Sequence, residues 1–357
     1  MMPQILLFGA TGYTGRLTAH ALSRLGADFA IAGRNEDKLR ALARDIGDPE
    51  IRRAEAGDLE SLVRALDGVR VLLTVVGPFV DLGRTAVEAA LRTGVHYLDS
   101  TGEGEFIKEL IGRSSDAEGA GIAMAPAMAF DEVPADVAAT LAVDGLTEPE
   151  LALTYALPSG GSQGTLRSAL GILTSTGQGI EEGRPVPVKA GDEQRWAPMP
   201  APLGPRLGVV FPLASGYVLP LHLKFSRFRT YVTVRNPQRI AMRFATPLIR
   251  EIRRTSPGRR IVEQLVARLP EGPDARGRRA PWTILAEATD GRAYRNVVLS
   301  GRDPYGLSAE LLALGALTMS ADDYDRSGVL APVEAIGLET LHKVLIEQGV
   351  TTETFPE

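Results

Sequence analysis

A chain of 357 residues, 44% of them hydrophobic and 23% charged, can bury two domain cores and has the composition of a globular protein. It has no cysteine and four scattered histidines (His20, His96, His222, His342), which excludes disulfides, thiolate ligands and cysteine nucleophiles and leaves no metal-ligand spacing, so no metal is expected. No apolar run approaches the ~20 residues of a membrane span, no basic-then-apolar leader opens the chain, and the net charge is −5, so the reading is a cytoplasmic protein with no nucleic-acid partner.

The chain opens on an apolar strand, Ile5-Leu6-Leu7-Phe8. It turns through Gly9-Ala10-Thr11-Gly12-Tyr13-Thr14-Gly15-Arg16 into a helix with Leu17, Ala21, Leu22 and Leu25 at helical spacing. A strand ending in Gly-x-x-Gly-x-x-Gly presents bare backbone N–H groups and a helix N-terminus to a pyrophosphate. Gly9 permits the tight turn, Gly12 lets phosphates reach the backbone, and Gly15 lets helix and strand pack closely. Gly9, Thr11, Gly12, Tyr13, Thr14, Gly15 and Arg16 are therefore expected at a dinucleotide. About twenty residues on, where an acidic residue would accept from a ribose 2′-hydroxyl, the second strand ends in Gly33-Arg34-Asn35. Gly33 leaves room for a 2′-phosphate and Arg34 can pair with it, which selects NADP(H) over NAD(H), with Asn35 beside them.

Strand and helix alternate to residue 130. Strands are predicted near 4–9, 28–33, 51–55, 69–76, 95–99 and 121–125, and helices near 13–26, 36–46, 58–67, 81–93 and 105–119. This is the pattern of an α/β Rossmann domain, a doubly wound parallel sheet with ligands outside the carboxyl ends of its strands. Asp58 either contacts the adenine amino group or caps the helix that follows it. Gly77-Pro78-Phe79, after the fourth strand, is placed beside the nicotinamide ribose, with Phe79 read as exposed. His96 reads as a strand-face histidine, and Tyr97, Asp99 and Glu103 as holders of loop hydrogen bonds. Tyr97 also stands with Tyr217 and His222 among the proton-donor candidates.

Beyond residue 130 the texture changes. Phe130-Asp131 opens a bend into a helix over 134–142, and 151–157 alternates as a strand. A polar turn over 159–165 leads into a helix over 166–176. Ser159, Gln163 and Thr165 are candidate oxyanion or thioester contacts, and Phe130 and Asp131 candidate substrate contacts. The Pro- and Gly-rich stretch 183–220 reads as an irregular loop around the substrate. Strands are expected over 229–235, 281–289 and 293–301, the last two joined by Asp290-Gly291. A helical stretch over 237–269 carries much of a basic segment, 221–280, with fifteen Lys or Arg against four Asp or Glu. That segment is either a docking surface for an acidic partner or anionic membrane, or a solvated helix face. Helices over 307–318 and 332–348 close the chain. The domains are thus 1–130, NADP-binding; 131–306, a mixed α+β substrate domain; and 307–357, C-terminal helices packing back on the first domain.

With these motifs in order, the chain resembles the saccharopine dehydrogenase-like oxidoreductases, and more closely their trans-acting enoyl reductase branch. The resemblance rests on the Gly9–Arg16 block, Ala32-Gly33-Arg34, Val76-Gly77-Pro78-Phe79, the run from His96 to Glu103, and the run from Phe130 to Asp136. Gly164-Thr165 with Ser168, and Asp303-Pro304-Tyr305, extend it. It implies NADPH as reductant, a mixed-sheet second domain that often forms a dimer interface, and hence a homodimer. The family's Gly-Phe-Asp-Ser-Val-Pro-Ser-Asp is here Ala129-Phe130-Asp131-Glu132-Val133-Pro134-Ala135-Asp136, a departure at two small polar positions. Three functions remain in view. The first is reduction of an activated C=C in a small or carrier-bound acyl substrate. The second is reduction of C=N or C=O, which needs a carboxylate-binding arginine among Arg167, Arg227, Arg229 and Arg235. The third is a non-catalytic NADP-binding interaction protein.

Overall fold

The computed structural model describes residues 3–158, 162–234, 264–266, 268, 272–273, 277 and 279–355. Two compact units result. The first comprises Met1–Gly102, Phe106–Val133 and Pro304–Val344, and the second Glu103–Glu105, Pro134–Asp303 and Leu345–Glu357.

The first unit is built on a parallel sheet of order β15-β6-β5-β4-β1-β2-β3. Its strands are β1 (Ile5–Phe8), β2 (Phe29–Gly33), β3 (Glu50–Arg53), β4 (Val71–Thr74), β5 (His96–Asp99), β6 (Ala123–Ala125) and β15 (Gly328–Val329). The central strands are short apolar runs buried on both faces, as a sheet covered by helices on each side requires. The chain builds outward from β1 through β2 to β3, then crosses to β4 on the other side, so the order reverses between β1 and β4. A crevice at their carboxyl ends is where such folds hold ligands.

The connecting helices are α1 (Tyr13–Arg24), α2 (Glu36–Asp45), α3 (Leu59–Ala65), α4 (Phe79–Thr93), α5 (Gly104–Ile111) and α6 (Ser114–Ala120). The single helix expected over 105–119 breaks at Gly112-Arg113 into α5 and α6, because Arg113 leaves the helical region (φ −104°, ψ 9°) to start the second. After the second unit the chain returns as α10 (Pro304–Met319) and β15. Then come α11 (Pro332–Ile336) and α12 (Leu338–Glu347). Ion pairs from Arg24 to Glu310 and from Arg70 to Asp322 fasten this return to α1 and to the start of β4.

The second unit is organised on a mixed sheet of order β10-β11-β12-β7-β13-β14-β16, with β8 added on β12 and β9 on β8. It begins with α7 (Val133–Val143) and β7 (Glu150–Ala156), and continues through α8 (Gln163–Thr174) and β8 (Gly177–Glu181). β12 (Arg227–Thr233), β13 (Trp282–Thr289) and β14 (Tyr294–Gly301) complete its centre. Asp290 closes the last hairpin by accepting from the N–H groups of Arg292 and Ala293, while Gly291 takes φ +80°.

Two expectations are corrected. The stretch 183–220 is not an irregular loop: it contains β9 (Arg184–Val188), β10 (Gln194–Ala197), β11 (Arg206–Val210) and the short α9 (Ser215–Val218). The prolines that suggested a loop, Pro185 and Pro187, lie in β9, which among the described residues pairs only with β8, and an edge strand tolerates residues that cannot donate to a ladder. The terminal stretch 307–357 does not all return to the first unit, because β16 (Thr351–Phe355) pairs with β14. The helix expected over 237–269, most of the basic segment 221–280, Ser159 and Arg235 lie outside the described residues. No described helix is long and apolar enough to cross a membrane.

Candidate functional site

The three glycines of the β1–α1 turn divide their roles. Gly9 has φ +89°, and a Cβ there would lie 2.6 Å from Val76 Cγ2. At Gly15 a Cβ would lie 2.2 Å from the Gly9 carbonyl oxygen and 2.9 Å from the Ala10 backbone, so helix and strand touch through this residue. Gly12 differs: its Cβ would meet only the Gly9 oxygen, at 3.4 Å. The fold itself would accept a side chain at 12, so the bareness of this N-cap serves the space outside. α1 has no side-chain cap, whereas Asn35 Oδ1 caps α2 by accepting from Lys38 N and Asp58 Oδ1 caps α3 by accepting from Ser61 N. Of the three helices, α1 thus keeps the positive end of its dipole for an anion.

The glycine turn is tied to the end of β2, with Gly9 N donating to Ala32 O at 2.9 Å. Two residues past Ala32, Arg34 is exposed and has no hydrogen-bond or ion-pair partner among the described residues. A 2′-phosphate beside this turn would meet the uncommitted guanidinium of Arg34. Arg16 is committed otherwise: its Nη1 donates to Thr11 O at 2.8 Å and braces the glycine turn. Asn35 and Asp58 each spend one side-chain oxygen on a helix cap. Thr11, Tyr13 and Thr14 are part-exposed on the turn and the first turn of α1. The bare N-cap, the open space at Gly12 and the uncommitted Arg34 together fit an adenine dinucleotide bearing a 2′-phosphate.

At the end of β4, Gly77 and Pro78 lead directly into α4, with Pro78 as its N-cap. Phe79 is not exposed as expected. It is 6% exposed, its ring 5.7 Å from that of Phe106, and it belongs to the core under α4. Tyr97 is fully buried and donates to Asp99 Oδ2 at 2.7 Å. Asp99 Oδ1 in turn accepts from Thr101 N and Ala127 N, so this pair holds together the loops after β5 and β6. Burial removes Tyr97 from the groups presented to a ligand. His96 is structural as well: its Nδ1 accepts from Ala123 N at 3.0 Å, and burial, then Arg70, lower its pKa and keep it neutral. Phe130 N donates to Ser308 Oγ. Asp131 is part-buried, and desolvation raises its carboxyl pKa against the backbone N–H groups of Asp131 and Glu132.

In the second unit, His222 Nε2 lies 2.7 Å from Asp136 Oδ1, with Asp136 fully buried and the His222 side chain 11% exposed. A buried carboxylate is costly unless it is hydrogen-bonded, and His222 supplies such a partner through Nε2. Nothing local in the sequence pairs Asp136 with His222, 86 residues away. Tyr217 is nearly buried against Gly104, where a Cβ would lie 2.6 Å from its ring; burial, then Glu105, raises its pKa. Thr165 belongs to the N-terminal cap of α8, its N–H and hydroxyl both on Ser162 Oγ, with Gln163 as the first helical residue. Ser168 donates to the buried Glu103 at 3.0 Å.

A cavity of about 440 Å³ on one face of the second sheet contains Arg195, Arg227 and Arg229. These guanidiniums are engaged: Arg195 with Glu287, and Arg227 and Arg229 each with both Glu181 and Glu193. The expected carboxylate-binding arginines at 227 and 229 are therefore already neutralised.

Residues 5–124 match the family model for the saccharopine dehydrogenase NADP binding domain. A trans-acting enoyl reductase of Mycobacterium leprae is 38% identical over 142 residues, covering 37% of this chain and 34% of that protein. One from Mycobacterium tuberculosis is 34% identical over 140 residues, covering 37% and 34%. The chain thus spans about a third of the length of the curated relatives it matches. Among solved structures, apo saccharopine dehydrogenase (L-Glu forming) from Saccharomyces cerevisiae aligns over 99% of both chains with a TM-score of 0.65 at 11% identity. Residues 5–124 therefore carry a saccharopine dehydrogenase-type NADP-binding domain, and the chain has the saccharopine dehydrogenase fold.

Proposed function

We propose that this protein is an NADPH-dependent reductase of an activated C=C bond, acting on an enoyl thioester or related natural-product intermediate, free or presented on a carrier. The observation that carries the cofactor half is the uncapped glycine turn with Arg34 uncommitted beside it. The reaction half is supported by the trans-acting enoyl reductases that match at 34–38% identity. NADPH, when bound, supplies the hydride.

The chain's own residues do the rest. The turn at Gly9–Gly15 holds the pyrophosphate, and Arg34 holds the 2′-phosphate. A proton must also reach the substrate α-carbon as enolate charge develops, and His222, whose Nε2 is paired with Asp136, is the candidate donor in this reading. Asp136 acts as a positioning residue. The closed ion pairs of Arg227 and Arg229 weigh against the C=N alternative, which needs an arginine open to a dicarboxylate. A homodimer, and docking of an acidic partner on 221–280, are carried as part of the same proposal. The test is NADPH oxidation over a panel of enoyl, imine and carbonyl substrates, free and carrier-bound. Turnover confined to enoyl compounds supports the proposal, turnover confined to imines supports the alternative, and tight NADPH binding without turnover marks a binding protein.

A further inference from the structure

We infer that Tyr305, at the first turn of α10, is a positioning residue of the dinucleotide site, acting through Tyr13 on the glycine turn. The inference rests on the NADPH reading above. The Tyr13 ring, one residue past the bare N-cap, meets the Tyr305 ring edge-on, with centroids 5.0 Å apart and planes at 90°. That is the favourable arrangement of two aromatic quadrupoles.

The same turn of α10 makes a second link. Ser308 Oγ accepts from Phe130 N at 3.0 Å and donates to Pro304 O at 2.8 Å, fixing the chain just after β6. Farther along, α10 is seated without slack: a Cβ at Gly315 would lie 3.0 Å from Met128 Cε and 3.2 Å from Leu98 Cδ2. A helix anchored on β5 and on residue 128 is thus held with its first turn against two ligand-side loops. Glycine turns are conformationally permissive, and an outside clamp lowers the ordering cost of binding. Tyr305 sits nearly three hundred residues from the loop it steadies.

The test is NADPH affinity by nicotinamide fluorescence, with melting temperature read alongside. Tyr305→Leu should raise the Kd for NADPH and for NADH alike by about fivefold to tenfold, because the clamp acts on the shared pyrophosphate turn. Tyr305→Phe keeps the edge-on ring and should stay within about twofold of wild type. In a Tyr13→Leu/Tyr305→Leu cycle, the double variant should bind no more weakly than the weaker single variant. Wild-type affinity in folded Tyr305→Leu, or strictly additive losses in the cycle, overturns the inference. If Tyr305→Leu does not fold, Tyr305→Met replaces it under the same criteria, and Tyr305→Phe binding as weakly as Tyr305→Met also overturns it. A wild-type chain that binds no NADPH would instead refute the NADPH reading itself.

Discussion

At the scale of single residues, cofactor choice rests on Arg34. Arg16, the other cation near the turn, is engaged with Thr11 O, and Asn35 and Asp58 are engaged as caps. Arg34→Ala should therefore weaken NADPH binding by about tenfold or more while leaving NADH binding nearly unchanged, as loss of a charge-assisted phosphate contact would do. Equal losses for the two cofactors, measured by titration, would show that Arg34 does not read the 2′-phosphate. In the proposed reaction the candidate proton donor is His222. Its replacement by Gln should lower kcat by about a hundredfold or more without altering NADPH affinity, the usual scale for a lost general acid. An unchanged kcat would return His222 to a structural role.

At the scale of elements, the β1–α1 turn separates packing from binding. Gly15 is closed by backbone at 2.2 Å, whereas a side chain at Gly12 meets one oxygen at 3.4 Å. Gly12→Val should accordingly fold, with a melting temperature close to wild type, and bind neither NADPH nor NADH. Binding retained at wild-type affinity would move the pyrophosphate elsewhere. The turn was legible because everything it needs lies within a dozen residues of chain: an apolar strand, three glycines and an amphipathic helix. The central strands β1, β2 and β4 were legible for the same reason, being apolar runs buried on both faces. Edge strands were not. β9 and β10 carry Pro185, Pro187, Gln194 and Arg195, a composition that one-sided pairing tolerates and that looks like loop in sequence. Phe79 misled because Gly-Pro before it suggests an exposed turn, while Pro78 in fact starts α4 and turns the ring toward Phe106.

At the scale of the whole molecule, both units are assembled from segments distant in sequence. β15 and α10 complete the first unit from beyond residue 303, and β16 completes the second from the last dozen residues. Long-range pairs leave no periodic signal, so the features that depend on them were faint in the sequence. The His222–Asp136 hydrogen bond and the Tyr13–Tyr305 ring pair are both of this kind. The glycine turn needed no such help.

The central claim is that hydride passes from NADPH to the β-carbon of an activated alkene, and isotope transfer tests it most directly. The protein would be incubated with NADPH deuterated at nicotinamide C4 and a panel of enoyl thioesters, imines and ketones, and the products examined by mass spectrometry and NMR. The expected result is one deuterium at the β-carbon of an enoyl product for each NADPH consumed. Deuterium at an imine or carbonyl carbon, or none in any product despite NADPH binding, would contradict it.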